Sequence, residues 1–408
     1  MTTKNIAHIS TDLIHHGYTP PAEFDSPQPG TFKASTVFFP NVAAMRQREW
    51  KDKSAYTYGT HGTPTSFTLE ERLCTLEGGK HCVLTPSGLS ALAVASFAVL
   101  KTGDHILLPD NSYGPNKTLA EGELTSFGIS HTYYDAMNPQ DLASKIKPNT
   151  RLVWLEAPGS VSMEFPDLVE LIKVSQSRQV LTALDNTWGA GLAFQPFDLL
   201  RDGSLSVDLT VHALTKYPSG GGDVLMGSVM TRDDALALKL KMTMMRLGIC
   251  VGPNDVEGIL RSLPTIALRY GAQDRCARQL ATWWKSQTAC VQVLHPALEG
   301  SPGHAHWQAL CAPQGQEGLA AGLFSVMLHP SLTQVQVDAF CDSLKLFKLG
   351  YSWGGPFSLV VPYNIATMRS HLPEHLKQGY LVRFSTGFED PQDLIHDLNN
   401  AAKHCLNF

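Results

Sequence analysis

Apolar residues along the chain fall into short unbroken runs, separated by amphipathic stretches and turn residues. HCVLTP (81–86), DHILLPDN (104–111), RLVWLEAP (151–158), VLTALDN (180–186) and SVDLTVHALTK (206–216) are runs of this kind. Their length and apolar character predict strands buried on both faces, the habit of a parallel sheet. GGGDVLMGSVMT (220–231) predicts one more strand. Helical periodicity lies between them. In SFTLEERLCTLEGG (66–79), Leu69, Leu73 and Leu76 share one face and a glycine pair ends the pattern. LSALAVASFAVLK (89–101) and PDLVELIKVSQSR (166–178) predict two further helices. Strands alternating with helices imply an α/β domain with a mostly parallel sheet. Such sheets bind ligands beyond the carboxyl ends of their strands, so the residues just after the strands carry the functional weight.

The pattern changes near Val256. A long helical stretch (261–287) is followed by GLFSVMLHP (322–330) and YLVRFSTG (380–387), read as strands of a smaller second sheet, with 308–322 as a Gly-rich loop. At the other end, Pro, Gly, Ser and Thr dominate up to about Asp52, which predicts an extended arm. The expected division is an N-terminal arm (1–60), a large α/β domain (61–256) and a smaller C-terminal α/β domain (257–408).

Composition narrows the function classes. The 408 residues carry 32 basic and 37 acidic side chains, a formal net charge of −5, which argues against an electrostatic nucleic-acid binder. At 43 % hydrophobic and 17 % charged, the chain can bury a large core and is not a disordered one. No apolar run is long enough to span a membrane, and the first residues lack the apolar segment of a secretory signal. A cytoplasmic protein is expected. The eight cysteines form no Cys-x-x-Cys pair and read as reduced, mostly buried residues.

Lys216 follows the apolar run 206–214 and precedes Tyr-Pro-Ser-Gly-Gly-Gly. A lysine at a strand-to-turn junction is most often a surface residue; desolvated, it is a candidate Schiff-base lysine. Asp185 ends another buried run, where an aspartate commonly caps the next turn. Together the two residues suit a pyridoxal phosphate ring, which needs a lysine and an acidic partner for its pyridine nitrogen. Ser87, Gly88 and Leu89 open an apolar helix directly after a strand. That arrangement is either an ordinary serine cap or an anion site at a helix start. His304, His306 and Cys311, and the pair His15-His16, are weaker candidates for metal ligation, because no fourth ligand is well placed. No metal site is expected.

Eight segments in this order carry a family resemblance: YTYGTHGTPT, LEGGKHCVLTPSGLSA, NSYGPN, LEAPGSVSMEFPD, LDNTW, LTKYPSGGGDVLMG, YSWGGPFSL and LVRFSTGFEDPQDL. They span nearly the whole chain, which resembles the Cys/Met-metabolism family of pyridoxal phosphate enzymes and within it the bacterial cystathionine β-lyase branch. The resemblance implies the fold type I, aminotransferase-like architecture and pyridoxal 5'-phosphate as cofactor. It implies that Lys216 bonds the cofactor, Asp185 pairs with its pyridine nitrogen, and Tyr113 stacks on the ring and handles protons. Ser87, Gly88, Leu89 and Thr215 would hold the phosphate. Tyr58, and Thr60 where relatives carry arginine, would reach the site of a neighbouring subunit. Arg383 would clamp the substrate α-carboxylate, with Ser352 and Trp353 beside it and Tyr58 of a neighbour near the substrate.

The implied reaction is carbon–sulfur β-elimination on a sulfur amino acid, with L-cystathionine first among the substrates. The implied alternatives are other cysteine S-conjugates or cystine, γ-lyase or γ-synthase chemistry, and a weakly catalytic cofactor-binding protein. The implied assembly is a tetramer built from dimers that share active sites. Ser160 stands where many relatives carry asparagine, Ala213 where a phosphate-contacting serine is common, and Phe357 in place of a common glutamate. Phe357 is therefore expected to reshape the substrate pocket.

Overall fold

The computed structural model describes residues 8–15, 27–377 and 379–406. Seven strands form the first sheet: β1 (His81–Thr85), β2 (His105–Pro109), β3 (Ser130–Tyr134), β4 (Thr150–Glu156), β5 (Leu181–Asp185), β6 (Leu209–Ala213) and β7 (Gly227–Thr231). Their order is β1-β7-β6-β5-β4-β2-β3, and β7 alone runs against its neighbours. The sheet is therefore mostly parallel, as the alternation of elements predicts. The carboxyl ends of β1, β2, β4, β5 and β6 consequently open on one edge.

Each predicted run becomes a strand because both of its faces are covered. Every residue of β2 and β7 is buried. The apolar helix Gly88–Val99 lies between β6 and β7 on one side and the helix Asp234–Leu247 on the other, which is why it needs no polar face. The helix Pro64–Glu77 starts in a capping box between Thr63 and Ser66 and stops at Gly78, whose φ of +79° favours glycine. The run 220–231 is only half strand: its glycines follow a turn at 214–219 and lie outside the sheet, and β7 begins at Gly227.

The second sheet has five strands: β8 (Cys290–Leu294), β9 (Leu323–Leu328), β10 (Lys348–Leu349), β11 (Leu359–Tyr363) and β12 (Tyr380–Ser385), in the order β10-β11-β12-β9-β8. All pairs are antiparallel except β10–β11. The 20-residue helix Ile266–Lys285 packs on β8 and β9, with Trp284 fully buried.

Two expectations change. Within the segment read as an extended arm, helices occupy Ile9–Ile14 and Val42–Arg46, and Leu13 is completely buried. An apolar side chain packed against the helix Pro64–Glu77 outweighs the turn-forming composition around it. The Gly-rich loop begins later than 308, because Gln308 to Cys311 complete the helix His304–Cys311.

Candidate active site

Lys216 lies in a tight turn after β6. Its N–H donates to the Ala213 carbonyl (3.1 Å) and its own carbonyl accepts from Gly220 (3.0 Å). The Ser352–Gly354 loop closes over this turn: a Cβ on Gly354 would stand 3.0 Å from the Tyr217 nitrogen, and φ there is +76°. The close approach brings Lys216 Nζ to 2.9 Å from Ser352 Oγ and 5.4 Å from the centre of the Trp353 ring. Burial, reinforced by the positive charge of Arg383, lowers the Lys216 pKa to about 8, against the opposing pull of Asp185. Such a lysine has a substantial unprotonated fraction near neutral pH, as a nucleophile or base requires.

Asp185 ends β5. Its Oδ1 accepts from the Thr187 N–H (3.0 Å) and hydroxyl, while the Thr187 oxygen accepts from the Ala213 N–H (2.9 Å). The ends of β5 and β6 are thereby locked together. Beneath them lies a fully buried group: His212 Nδ1 is 2.7 Å from Glu77 Oε1, and Asn186 Nδ2 donates to Glu77 Oε2 (3.0 Å). Glu156 ends β4, in register with Asp185. Its Oε2 accepts the Tyr113 N–H at 2.7 Å. Both carboxyls reach the cavity but are otherwise walled by protein. Burial raises the pKa of each, and the charge of Asp185 pushes Glu156 further up.

A cavity of about 430 Å³ joins these groups to Ser87, Gly88, Leu89, Tyr113, Thr215, Trp353 and Arg383. At its helix wall, Ser87 Oγ accepts from the Ser90 N–H (3.0 Å), and the N–H groups of Gly88 and Leu89 make no hydrogen bond among the described residues. Gly88 lets the helix approach β6: a Cβ there would be 2.6 Å from the Ala213 Cβ. The Thr215 hydroxyl lies 3.2–3.3 Å from the backbone of Met226. Free N–H groups at a helix start attract an anion, and this one sits in the same cavity as the lysine.

Arg383 projects from the middle of β12 and is 6 % exposed. Its Nη2 donates to the Tyr351 carbonyl (3.1 Å), and the guanidinium lies 5.3 Å from the Tyr363 ring centre. Among the described residues no carboxylate pairs with it. A buried guanidinium without a counter-ion is suited to an incoming carboxylate.

The remaining candidates divide. Ser160 lines the cavity, and its N–H donates to the Asn111 carbonyl (2.8 Å). Val161 and Met163, on the same wall, hold left-handed φ values of 68° and 55°; a β-branched residue rarely adopts this conformation, and such strain concentrates at functional sites. Tyr58 and Thr60 do not line this cavity: Tyr58 is half-exposed and Thr60 borders a separate cavity of about 520 Å³. Phe357 is 66 % exposed and also stays outside, contrary to the expectation that it reshapes the pocket. His304, His306 and Cys311 share one short helix, and His304 Nδ1 is occupied by the Pro296 carbonyl (2.8 Å). No His/Cys/Asp/Glu group suited to a metal occurs among the described residues, and His16 lies outside them. All eight cysteines are free thiols, five of them buried.

Glu156 is the residue that sequence reasoning missed. The available signal was a carboxylate ending a buried run one strand away from Asp185.

The residues fit pyridoxal phosphate. A desolvated lysine, a buried carboxylate, an aromatic ring and a helix start with free N–H groups meet in one cavity. The sequence profile of the Cys/Met metabolism PLP-dependent enzymes matches residues 10–403. The chain belongs to this family. Its cofactor is pyridoxal phosphate and its fold is that of the type I enzymes of this class. A cystathionine β-lyase of Bordetella avium is 34 % identical over 411 residues, covering 98 % of this chain and 99 % of that protein. Solved structures of the family also superpose closely. The cystathionine γ-synthase of Xanthomonas oryzae pv. oryzae, in complex with cystathionine, has a TM-score of 0.85 at 27 % identity, covering 98 % of this chain and 99 % of that one. The cystathionine γ-lyase of Lactobacillus plantarum, complexed with L-serine, has a TM-score of 0.85 at 25 % identity, covering 98 % and 100 %. Among the described residues no helix is long and apolar enough to cross a membrane.

Proposed function

We propose that this enzyme is a carbon–sulfur β-lyase that cleaves cysteine thioethers, L-cystathionine among them, to a thiol, pyruvate and ammonia. The observation that carries the reading is the placement of Lys216, with its pKa lowered to about 8, in one cavity with the unpaired Arg383. Pyridoxal phosphate, when bound, supplies the electron sink that stabilises the carbanion left by a broken Cα–H bond.

The chain's residues do the rest. Lys216 would anchor the cofactor, and Asp185 would hold its pyridine nitrogen protonated. The N–H groups of Gly88 and Leu89, with Ser87 and Thr215, would hold its phosphate. Arg383 grips the α-carboxylate, with Ser352 and Trp353 fixing the position of the lysine. Displaced from the cofactor by the substrate's amino group, Lys216 Nζ would take the Cα proton. The Cβ–S bond breaks with its electron pair on sulfur, and Tyr113 or Lys216 supplies the proton that completes the thiol. The released aminoacrylate reacts with water to give pyruvate and ammonia. From cystathionine the thiol is homocysteine.

The second reading is γ-chemistry, favoured by the close structural likeness to the γ-synthase and γ-lyase. It needs a further proton removed from Cβ. Incubation with L-cystathionine separates the two: pyruvate supports β-cleavage, whereas 2-oxobutyrate supports the γ-reading.

The resemblance further supports a cytoplasmic homotetramer of dimers with shared active sites. Tyr58 and Thr60 fit that arrangement, since neither lines the cavity of its own chain. The division into arm, large domain and C-terminal domain near residues 60 and 256 is part of the same proposal.

A further inference from the structure

The cavity wall contains four charged side chains among the described residues: Glu156, Asp185, Lys216 and Arg383. On the β-lyase reading, on which this inference rests, each already has a task. Lys216 and Asp185 serve the cofactor, Arg383 takes the α-carboxylate, and Glu156 holds the Tyr113 N–H. The most exposed lining residues mark the mouth, and they are apolar or aromatic: Leu225 (68 %), Tyr351 (80 %), Tyr113 (43 %) and Leu89 (41 %). Tyr58 and Thr60 are the residues expected from a neighbouring subunit. Both are neutral side chains, and burial together with Lys241 and Arg48 holds the His61 pKa below its ordinary value.

We propose that this enzyme prefers cysteine thioethers whose sulfur carries an uncharged apolar group over cystathionine, whose distal end is a second amino acid. A distal ammonium and carboxylate would meet Leu225, Tyr351 and Leu89 with no partner for either charge, and would lose hydration without compensation. An alkyl or benzyl group would instead cover apolar surface already exposed there. With S-benzyl-L-cysteine the chemistry balances as above: Cα–H and Cβ–S break, sulfur gains a proton to give benzyl thiol, and water converts the enamine to pyruvate and ammonia.

Two unreactive ligands of equal chain length isolate the mouth from the reaction: L-2-aminooctanoate and L,L-2,7-diaminosuberate, which differ in the distal amino-acid group. Calorimetry on the cofactor-loaded enzyme should give about tenfold tighter binding of aminooctanoate. Leu225→Arg, which places a cation at the mouth, should narrow that ratio severalfold. In turnover, kcat/KM for S-benzyl-L-cysteine should exceed that for L-cystathionine by a similar factor. Equal or tighter binding of diaminosuberate overturns the proposal, even if pyruvate is formed from every thioether. Tighter binding of aminooctanoate with no pyruvate from any thioether supports the apolar mouth and instead defeats the β-lyase reading.

Discussion

Two buried clusters of charge in this chain use the same residue types to opposite effect. In one, Asp110 pairs with Lys117 (3.1 Å) and Arg369 (3.4 Å), and Glu164 pairs with Arg369 (2.8 Å) and His375 (3.1 Å). Backbone N–H groups of Ser370 and His371, with Asn111 and Ser162, fill the remaining acceptor positions. Hydrogen bonds and cations outweigh burial there, and both carboxyls titrate at about 2. In the other cluster, Asp185 and Glu156 lack a cation of their own, Arg383 and Lys216 lack an anion, and burial moves Asp185, Glu156 and Lys216 toward their neutral forms. The first cluster ties the loop after β2 to the segment 369–375, more than 250 residues away. The second leaves its charges unpaired in the cavity, as the proposed binding of a cofactor and a substrate requires. Pairing marks a structural cluster, and its absence in a cavity marks a functional one.

Substitutions sharpen this contrast. Lys216→Ala should abolish the visible cofactor band and lower kcat about a thousandfold or more, while the melting temperature of the cofactor-free protein stays near that of the parent. Arg369→Met should do the reverse. It leaves Asp110 with Lys117 and Glu164 with His375 as their remaining charged partners and should cost about 3 kcal/mol in urea unfolding, with the cofactor spectrum of the folded fraction intact. Arg383→Met should reduce kcat/KM about a hundredfold, chiefly through KM, without loss of stability, because no buried carboxylate depends on it. A destabilised Arg383→Met protein, or an Arg369→Met protein as stable as the parent, breaks the comparison.

Titration gives a smaller effect. Asp110 and Glu164 titrate lower in the folded state than in an unfolded chain, so their contribution is complete above their unfolded pKa values. It disappears as pH falls from about 4.5 toward 2. Urea midpoints measured across that range should drop in the parent and drop less steeply in Arg369→Met, which removes one of the groups that lower Glu164. Glu156→Gln should have the mildest effect. It keeps an acceptor for the Tyr113 N–H and should change kcat about tenfold or less, whereas Glu156→Leu should lower it further.

The strand that Asp185 ends and the strand that precedes Lys216 were legible because each ends in a sharp change from apolar residues to turn-formers. Other elements gave no such signal. β3 has one fully buried residue and lies at the sheet edge. β11 contains Pro362, which argues against a strand; its partner β10 reaches only to Val360, so Pro362 occupies an open edge. The roles of Ser352 and Arg383 came from resemblance, since local pattern says nothing about contacts 136 residues apart in sequence, such as Lys216 with Ser352. The Arg369 cluster was invisible for the same reason: long-range pairing exists only in the folded chain.

The central claim, β-cleavage, is tested most directly by supplying L-cystathionine to the cofactor-loaded enzyme and identifying the oxo-acid. Pyruvate accompanied by homocysteine is the predicted result. 2-Oxobutyrate accompanied by cysteine would contradict it.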